Sequence, residues 1–425
     1  MNTLRLKNTI KLSLRGLTRN KRRSLVTLLA IAFGFAAIIL FAGYTHNIYD
    51  GLARGAIYGD LLGHLTVSKQ GMYQEGKLDP ERYMLTESEV QGLTKMLTGE
   101  SHVKLVAPRL AFSGLISNGK ASTIFIAEGI EPSAMPVLQE KLLTPKERAI
   151  GLYRDYEKTL DPHHPEVAEL SSGLVDLLHL KPSGQAALLV NTLSGQANAQ
   201  DITVGHVFNT GNAGSNDKFA FVALSKARSL LDAEGRADRL TILLDDTSET
   251  EAARKRMAKK FEAAGLDMEI KTWEDLSDFY KQVHGMFDMI FGFIFSIVLT
   301  VVVMSVANSM GMTVVERTRE IGTLRAIGLR RTGVVRLFAM ESLLLSLFGC
   351  IAGLLIALAV RWGINVAQIS YIPPNSSNPV PLLVDIDVPR MVFTFVLMSL
   401  VGTMAAYLPA RRAAKSDIID ALGHV

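Results

Sequence analysis

The chain has 425 residues and a single cysteine, Cys350, so no intrachain disulfide can form. That thiol lies inside an apolar run, where a cysteine behaves as a small buried side chain. Charge of one sign is not in large excess either: 45 Lys and Arg against 41 Asp and Glu leave a net +4. The basic residues gather at the edges of apolar runs, which does not imply a nucleic-acid partner. Acid is missing from residues 1–23, which carry Arg5, Lys7, Lys11, Arg15, Arg19, Lys21, Arg22 and Arg23. Charge of either sign is missing from Ser24–Thr45, Met289–Val315, Ser342–Val360 and Met391–Ala410. At ~1.5 Å of rise per residue, such runs match a hydrocarbon core of ~30 Å.

The apolar content, 48% with a mean hydropathy of +0.23, is high for an ordinary soluble protein and low for one that is all membrane. A few spanning helices and one large aqueous domain satisfy it. A basic start before an apolar run also fits a signal peptide, but Ser24–Thr45 is long for that role and no A-x-A site follows. We read residues 24–45 as an uncleaved first span, preceded by an amphipathic segment, 1–23, whose Leu4, Leu12, Leu14 and Leu17 suit anionic lipid. The second, third and fourth spans are expected at 285–313, 338–360 and 391–410. A coupling segment, 314–336, lies between the second and third, an outer loop, 361–390, between the third and fourth, and a basic tail, 411–425, ends the chain. Both ends are then cytoplasmic by the positive-inside rule.

Residues 46–284 hold no further span. Strand-like runs at Leu65–Ser68, Leu110–Ser117, Ser122–Ala127, Ala187–Val190, Phe219–Leu224 and Leu240–Leu244 alternate with helix-like Glu87–Leu97, Glu166–Leu178 and Glu249–Ala264. The fold class predicted is therefore a membrane α-helical protein of four spans, with a large α+β domain inserted between the first two. Its size allows two subdomains, with a break near the Pro- and charge-rich Glu131–Pro162. Trp273–Asp288 has helical spacing that leads straight into the second span, and His46–Tyr58 follows the first. Both are expected to extend their spans as stalks.

Two features imitate binding sites. Gly114-Leu-Ile-Ser-Asn-Gly119-Lys120-Ala121 approaches G-x-x-x-x-G-K-[S/T], but Ala121 has no hydroxyl for Mg²⁺ and Asn118-Gly119 sits between alternating apolar runs as a hairpin turn. No nucleotide cofactor is expected in this chain. Asp161-Pro-His163-His164-Pro-Glu166 has adjacent histidines whose side chains diverge, which suits a hydrated loop better than a metal site. No metal ligand set and no catalytic residue is assigned, and the chain is expected not to be an enzyme. Met286, Phe287, Met289, Phe291, Phe293 and Phe295 crowd one end of the second span as ordinary lipid-facing or acyl-contacting material, and no substrate-binding residue is assigned.

The densest signal is Val314–Arg336, V-V-E-R-T-R-E-I-G-T-L-R-A-I-G-L-R-R-T-G-V-V-R. Arg317, Arg319, Arg325, Arg330, Arg331 and Arg336 stand against Glu316 and Glu320. Ile321, Leu324 and Ile327 suit one face of a short helix, Gly328 a left-handed helix end, and Gly322 the close approach of another backbone. Charge alone fits a loop that sets topology. E-R-T-R-E-I-G-T-L-R-A-I-G, however, closely resembles the coupling-helix signature of the FtsX-like, MacB-type ABC permeases. The resemblance implies that Glu316, Arg317, Arg319, Glu320, Ile321, Gly322, Leu324, Arg325, Ala326 and Gly328 dock on a separate ATPase.

Ser171–Asn209, with Asn198, Ala199, Asp201, Val204 and Gly205-His-Val-Phe208, is similar to the family's periplasmic core domain, although Gly184-Gln185 stands where a typical member has Gly-Asp. Pro409-Ala410-Arg411-Arg412-Ala413-Ala414 with Asp420-Ala421-Leu422 resembles its C-terminal tail. The likeness is better to the lipoprotein-releasing, LolC/LolE-like branch than to the MacB branch. It implies an inner-membrane permease paired with a second copy or a paralogue, driven by two ATPase subunits that hold ATP and Mg²⁺. Lipid contact, a periplasmic adaptor or lipoprotein as partner, and lipoprotein or lipid cargo follow from it. MacB-like efflux and FtsX-like control of a cell-wall hydrolase are the alternatives, and a membrane sensor with no ATPase partner is a further one.

Overall fold

The structure is a computed structural model, described here for residues 11–17, 19, 21–76, 78–143, 159–372 and 380–415. The chain divides into two compact units. One comprises the residues up to Tyr49 with Val283–Ser370 and Pro381 onward; the other comprises Asp50–Gln282 with Tyr371–Val380.

Helix α1, Lys21–Arg54, continues as a short π-helical stretch, Gly55–Gly59. The strands and helices of the aqueous domain follow in order: β1 (Leu65–Lys69), α2 (Glu87–Thr98), β2 (Val103–Ser117), β3 (Ser122–Ile130), β4 (Val167–Ser171), α3 (Ser172–Leu177), β5 (Gln185–Asn191), β6 (Ala197–Phe208), β7 (Phe219–Ala223), α4 (Leu224–Leu231), β8 (Arg239–Leu244), α5 (Thr250–Ala263) and β9 (Met268–Thr272). All nine strands belong to one sheet. Its first six neighbours close on themselves, because β3 also pairs with β2, giving the ring β2–β3–β7–β4–β6–β5. The first half of β2 pairs instead with β8, which leads on to β1 and β9.

The two halves of β2 thus serve two cores. One, inside the ring, is built around Leu110, Phe125, Leu170, Leu188 and Val204; the other, around Leu65, Leu97, Ile242, Met257 and Phe261, is covered by α2 and α5. Arg109 faces Ile130 on one side and Arg239 on the other, at the point where β2 changes partners. The change of core therefore falls within a strand; of the expected break at Glu131–Pro162, residues 144–158 lie outside the described residues. Asn118-Gly119 is the β2–β3 hairpin turn, the Asn118 side-chain Oδ1 accepting from the Lys120 and Ala121 N–H groups at 2.8 and 2.7 Å.

Two local expectations fail. Glu166–Leu178 is not one helix: Val167–Ser171 is a strand between β6 and β7, and the helix begins only at Ser172. Pairing on both edges outweighs the helical spacing of this segment. Trp273 does not open the second span either. Thr272 and Asp275 form a capping box around one turn, Trp273–Leu276, and Ser277 breaks it before the long helix starts at Asp278. The N-terminal leucines differ in their surroundings. Within the helical residues 11–17, Leu12 and Leu14 are exposed, whereas Leu17 packs on the core of the helical unit. Leu4 lies outside the described residues.

The remaining helices are α6 (Asp278–Glu316), α7 (Thr318–Ala326), α8 (Arg331–Ala367), α9 (Val388–Ala405) and α10 (Tyr407–Lys415). Four stretches, Lys21–Gly59, Asp278–Glu316, Arg331–Ala367 and Val388–Lys415, are long and apolar enough to cross a membrane. The α+β domain lies between the first two of them, as the fold class requires. The bounds differ from the charge-free runs at both ends. Residues 331–336 open α8 instead of closing the coupling segment, residues 361–367 extend it beyond the third run, and the fourth helix stops at Ala405 so that Tyr407–Ala410 joins amphipathic α10. Helical backbone tolerates Arg and Lys at its ends, so charge marks where the apolar environment stops, not where the helix does. Residues 373–379 and the Asp420 motif lie outside the described residues.

Small residues let α1 and α8 touch. A Cβ on Gly353 would stand 2.4 Å from the Ala32 carbonyl oxygen, and one on Gly349 2.7 Å from Ile31 Cγ2. Gly349-x-x-x-Gly353 is the small-residue spacing that brings helix backbones together where water supplies no driving force. By contrast α6 leaves most of its apolar surface open: Met289, Phe293 and Met304 are exposed, while Phe287 and Phe291 turn inward against Phe41.

Candidate coupling site

The arginine-rich segment folds as two breaks around one short helix. Helix α6 runs to Glu316, and Arg317 leaves helical geometry at φ −107°, ψ 15°. The Thr318 hydroxyl donates to the carbonyls of Val314 and Val315 at 3.0 and 2.9 Å, satisfying acceptors that the end of α6 leaves open. At the other end of α7, Gly328 adopts φ +104°, its N–H donating to Arg325 O and that of Leu329 to Leu324 O, each at 3.0 Å. This is a Schellman closure, which needs a left-handed residue and so a glycine. Arg330 then returns to extended backbone and α8 begins.

The expected docking residues separate into two groups. Ile321 and Gly322 are buried and Arg317 is nearly so, packed toward the neighbouring helices. Arg319, Ala326 and Gly328 are exposed, and Leu324 and Arg325 are half-buried. The single apolar face formed by Ile321, Leu324 and Ile327 is not kept. Ile327 lies in the closing turn, 80% exposed, beside the exposed Leu329, Arg330 and Arg331. At ~3.6 residues per turn the six-residue step sets Ile327 about 120° round from Ile321, so even an unbroken helix would leave the two on different sides.

Charges on the inner side form a network. Glu316 receives both terminal nitrogens of Arg23, at 3.1 and 2.7 Å, joining the ends of α1 and α6. Arg317 forks onto Glu320 through Nε and Nη2 at 3.0 and 3.1 Å, and its Nη1 reaches Glu341 of α8 at 3.1 Å. Arg19 contacts Glu320 at 3.3 Å. The hydrogen bond from Arg317 holds the Glu320 carboxyl below its ordinary range. Ser13 donates to the Leu337 carbonyl at 3.4 Å, so helical residues 11–17 lie against α8 rather than on lipid alone. The inner face of α10, Ala410, Ala413 and Ala414, packs on α8 and α7.

Sequence reasoning missed Arg19, Arg23 and Glu341. Glu341 had a signal: it is the last acid before a run of membrane length, and such a residue in a span asks for a partner. No group of three or more metal-capable side chains occurs among the described residues, and exposed His164 pairs with Glu166 at 3.0 Å.

A family model described as MacB-like periplasmic core domain matches residues 24–260, and one described as FtsX-like permease C-terminal matches residues 292–418. The chain is 31% identical over 175 residues to the pyoverdine export ATP-binding/permease protein PvdT of Pseudomonas entomophila, covering 41% of this chain and 25% of that protein. It is 23% identical to the ABC transporter permease YtrF of Bacillus subtilis, covering 99% of each. It is 25% identical to the macrolide export ATP-binding/permease protein MacB of Chromobacterium violaceum, covering 98% of this chain and 61% of that one. The chain thus spans only a quarter of the length of PvdT. Among solved structures, the periplasmic region of MacB from Actinobacillus actinomycetemcomitans is 13% identical with a TM-score of 0.33, covering 52% of this chain and 92% of that one.

Proposed function

We propose, for a chain that belongs to the FtsX-like ABC permeases with a MacB-like periplasmic core domain, that it receives force from an ATPase carried by another chain and moves its aqueous domain with it. The observation that carries this reading is the exposed turn Ala326–Arg331, an apolar tip of Ile327 and Leu329 ringed by arginines. An apolar anchor inside a charged rim is the composition of a docking hot spot. In this reading the membrane is the bacterial inner membrane, the tip and both termini are cytoplasmic, and the domain is periplasmic.

Motion at the tip would pass to α1 and α6. Each helical stretch is 39 residues long, about 58 Å at ~1.5 Å per residue, roughly twice a ~30 Å hydrocarbon core. The excess length serves as a stalk. A second copy of this chain, or a paralogue, covers the open face of α6, and two ATPase subunits drive the pair.

Hydrophobic cargo, a lipoprotein or lipid drawn from the outer leaflet, is the leading substrate class. It is supported by an exposed row on the domain, Ile124–Leu115–Leu189–Ala199, paired directly across β3, β2, β5 and β6. Efflux of a small molecule is the second reading, favoured by relatives named for pyoverdine and macrolide export. Control of a hydrolase fits less well with a domain that spans Asp50–Gln282. The test is purification of the tagged chain from its native membrane: a Walker-motif ATPase should come with it and be lost with Ile327→Asp. Recovery of only a hydrolase or a kinase would overturn the reading.

A further inference from the structure

Glu341 is a carboxylate at 2% exposure on α8, ten residues into a helix of membrane length. A charge so placed needs a hydrogen-bonded counter-charge. Arg317 supplies it from the joint between α6 and α7, and one guanidinium holds two acids at once, Glu320 on α7 and Glu341 on α8. The fork leaves little freedom. Arg317 lies over the Phe338 ring, 5.8 Å from its centre. Gly16 closes the other side, where a Cβ would stand 2.7 Å from Glu341 Oε1 and 3.0 Å from Arg317 Nη1.

Helical geometry is interrupted at Arg317, so α6 and α7 are not one continuous rigid rod. The side chain bridges that joint. We infer that Arg317 and Glu341 are positioning residues which transmit displacement of α7 to α8, and that neither contacts the ATPase. Arg317 therefore belongs to the linkage between helices, not to the docking surface that the sequence motif implies. This rests on the proposed docking of the Ala326–Arg331 turn.

The test uses the full complex with its co-purifying ATPase, spin-labelled at exposed Phe293 on α6 and Trp362 on α8. Pulsed dipolar spectroscopy compares the nucleotide-free complex with one trapped by Mg·ATP and vanadate. The parent complex shifts its distance distribution on trapping. With Glu341→Gln, which keeps the shape but removes the charge, the ATPase co-purifies in the parental ratio and hydrolyses ATP, and the shift is lost. If Glu341→Gln is not recovered from the membrane, Arg317→Lys serves instead. It keeps one ion pair but cannot fork onto two carboxylates, and the same loss is expected. A parental shift in the variant that is measured overturns the inference, as does loss of the ATPase from that variant. Absence of any ATPase from the parent overturns the docking reading instead, so the two failures are distinct.

Discussion

Ile321 and Ile327 are six residues apart on one short helix and its closing turn, yet Ile321 is 4% exposed and Ile327 80%. The two isoleucines of the motif therefore have different work. Ile321→Ala opens a cavity among α7, α8 and α10 and should cost about 2–5 kcal/mol, read as a lower melting temperature of the purified chain. Ile327→Ala should leave that temperature unchanged and weaken retention of the ATPase tenfold or more, about 1.4 kcal/mol, in a titration of ATPase onto immobilised permease.

Helix contact in the membrane gives a second outcome. Gly353→Leu must displace the Ala32 backbone, since even a Cβ lies 2.4 Å from its carbonyl oxygen. The variant should be degraded or aggregate, visible as loss of the monodisperse peak in detergent. Gly285→Ala on α6 meets nothing within 4 Å and should raise stability by about 0.5–1 kcal/mol through helix propensity.

His64 gives a pH dependence. Buried against Tyr58 and Thr247, its ring Nδ1 accepts from the Leu244 N–H at 3.0 Å, and burial, with Lys141 nearby, lowers its pKa to about 4. The folded domain thus keeps His64 neutral where the unfolded chain, near 6.5, takes a proton. Stability is complete above about pH 6.5 and falls as the pH drops toward 4, by up to ~3 kcal/mol. Fluorescence of buried Trp273 during urea unfolding at a series of pH values should show this slope, and His64→Asn, which cannot titrate, should flatten it.

Arg109 is 1% exposed and donates to the Leu61 carbonyl at 2.8 Å while pairing with Glu128, which also binds Arg239 at 2.6 Å. Asp238, bound to Arg239, accepts from the Ala111 N–H at 3.0 Å. Arg109→Met strands part of that acidic charge and should lower the domain's unfolding free energy by about 3–5 kcal/mol, read from the same Trp273 signal.

Much of this molecule can be read in its residues, for identifiable reasons. The four apolar helices follow from charge-free runs, and the β2–β3 hairpin from Asn118-Gly119, because both signals are local. The strand Val167–Ser171 was hidden because its partners, Thr203–Phe208 and Ala220–Phe221, are distant in the chain. The arginine-rich motif was legible as a motif, but not which of its residues turn inward. Burial of Arg317 and Ile321 depends on α8, α10 and the helical residues 11–17, none of which the motif contains.

On the proposed function, the Ala326–Arg331 turn meets an ATPase. A photo-crosslinking amino acid at position 327, activated in cells that carry the chain at native level, tests it most directly. One main adduct is expected, to a protein with Walker motifs, changing in yield when ATP is depleted. A crosslink only to lipid or to a periplasmic protein would contradict it.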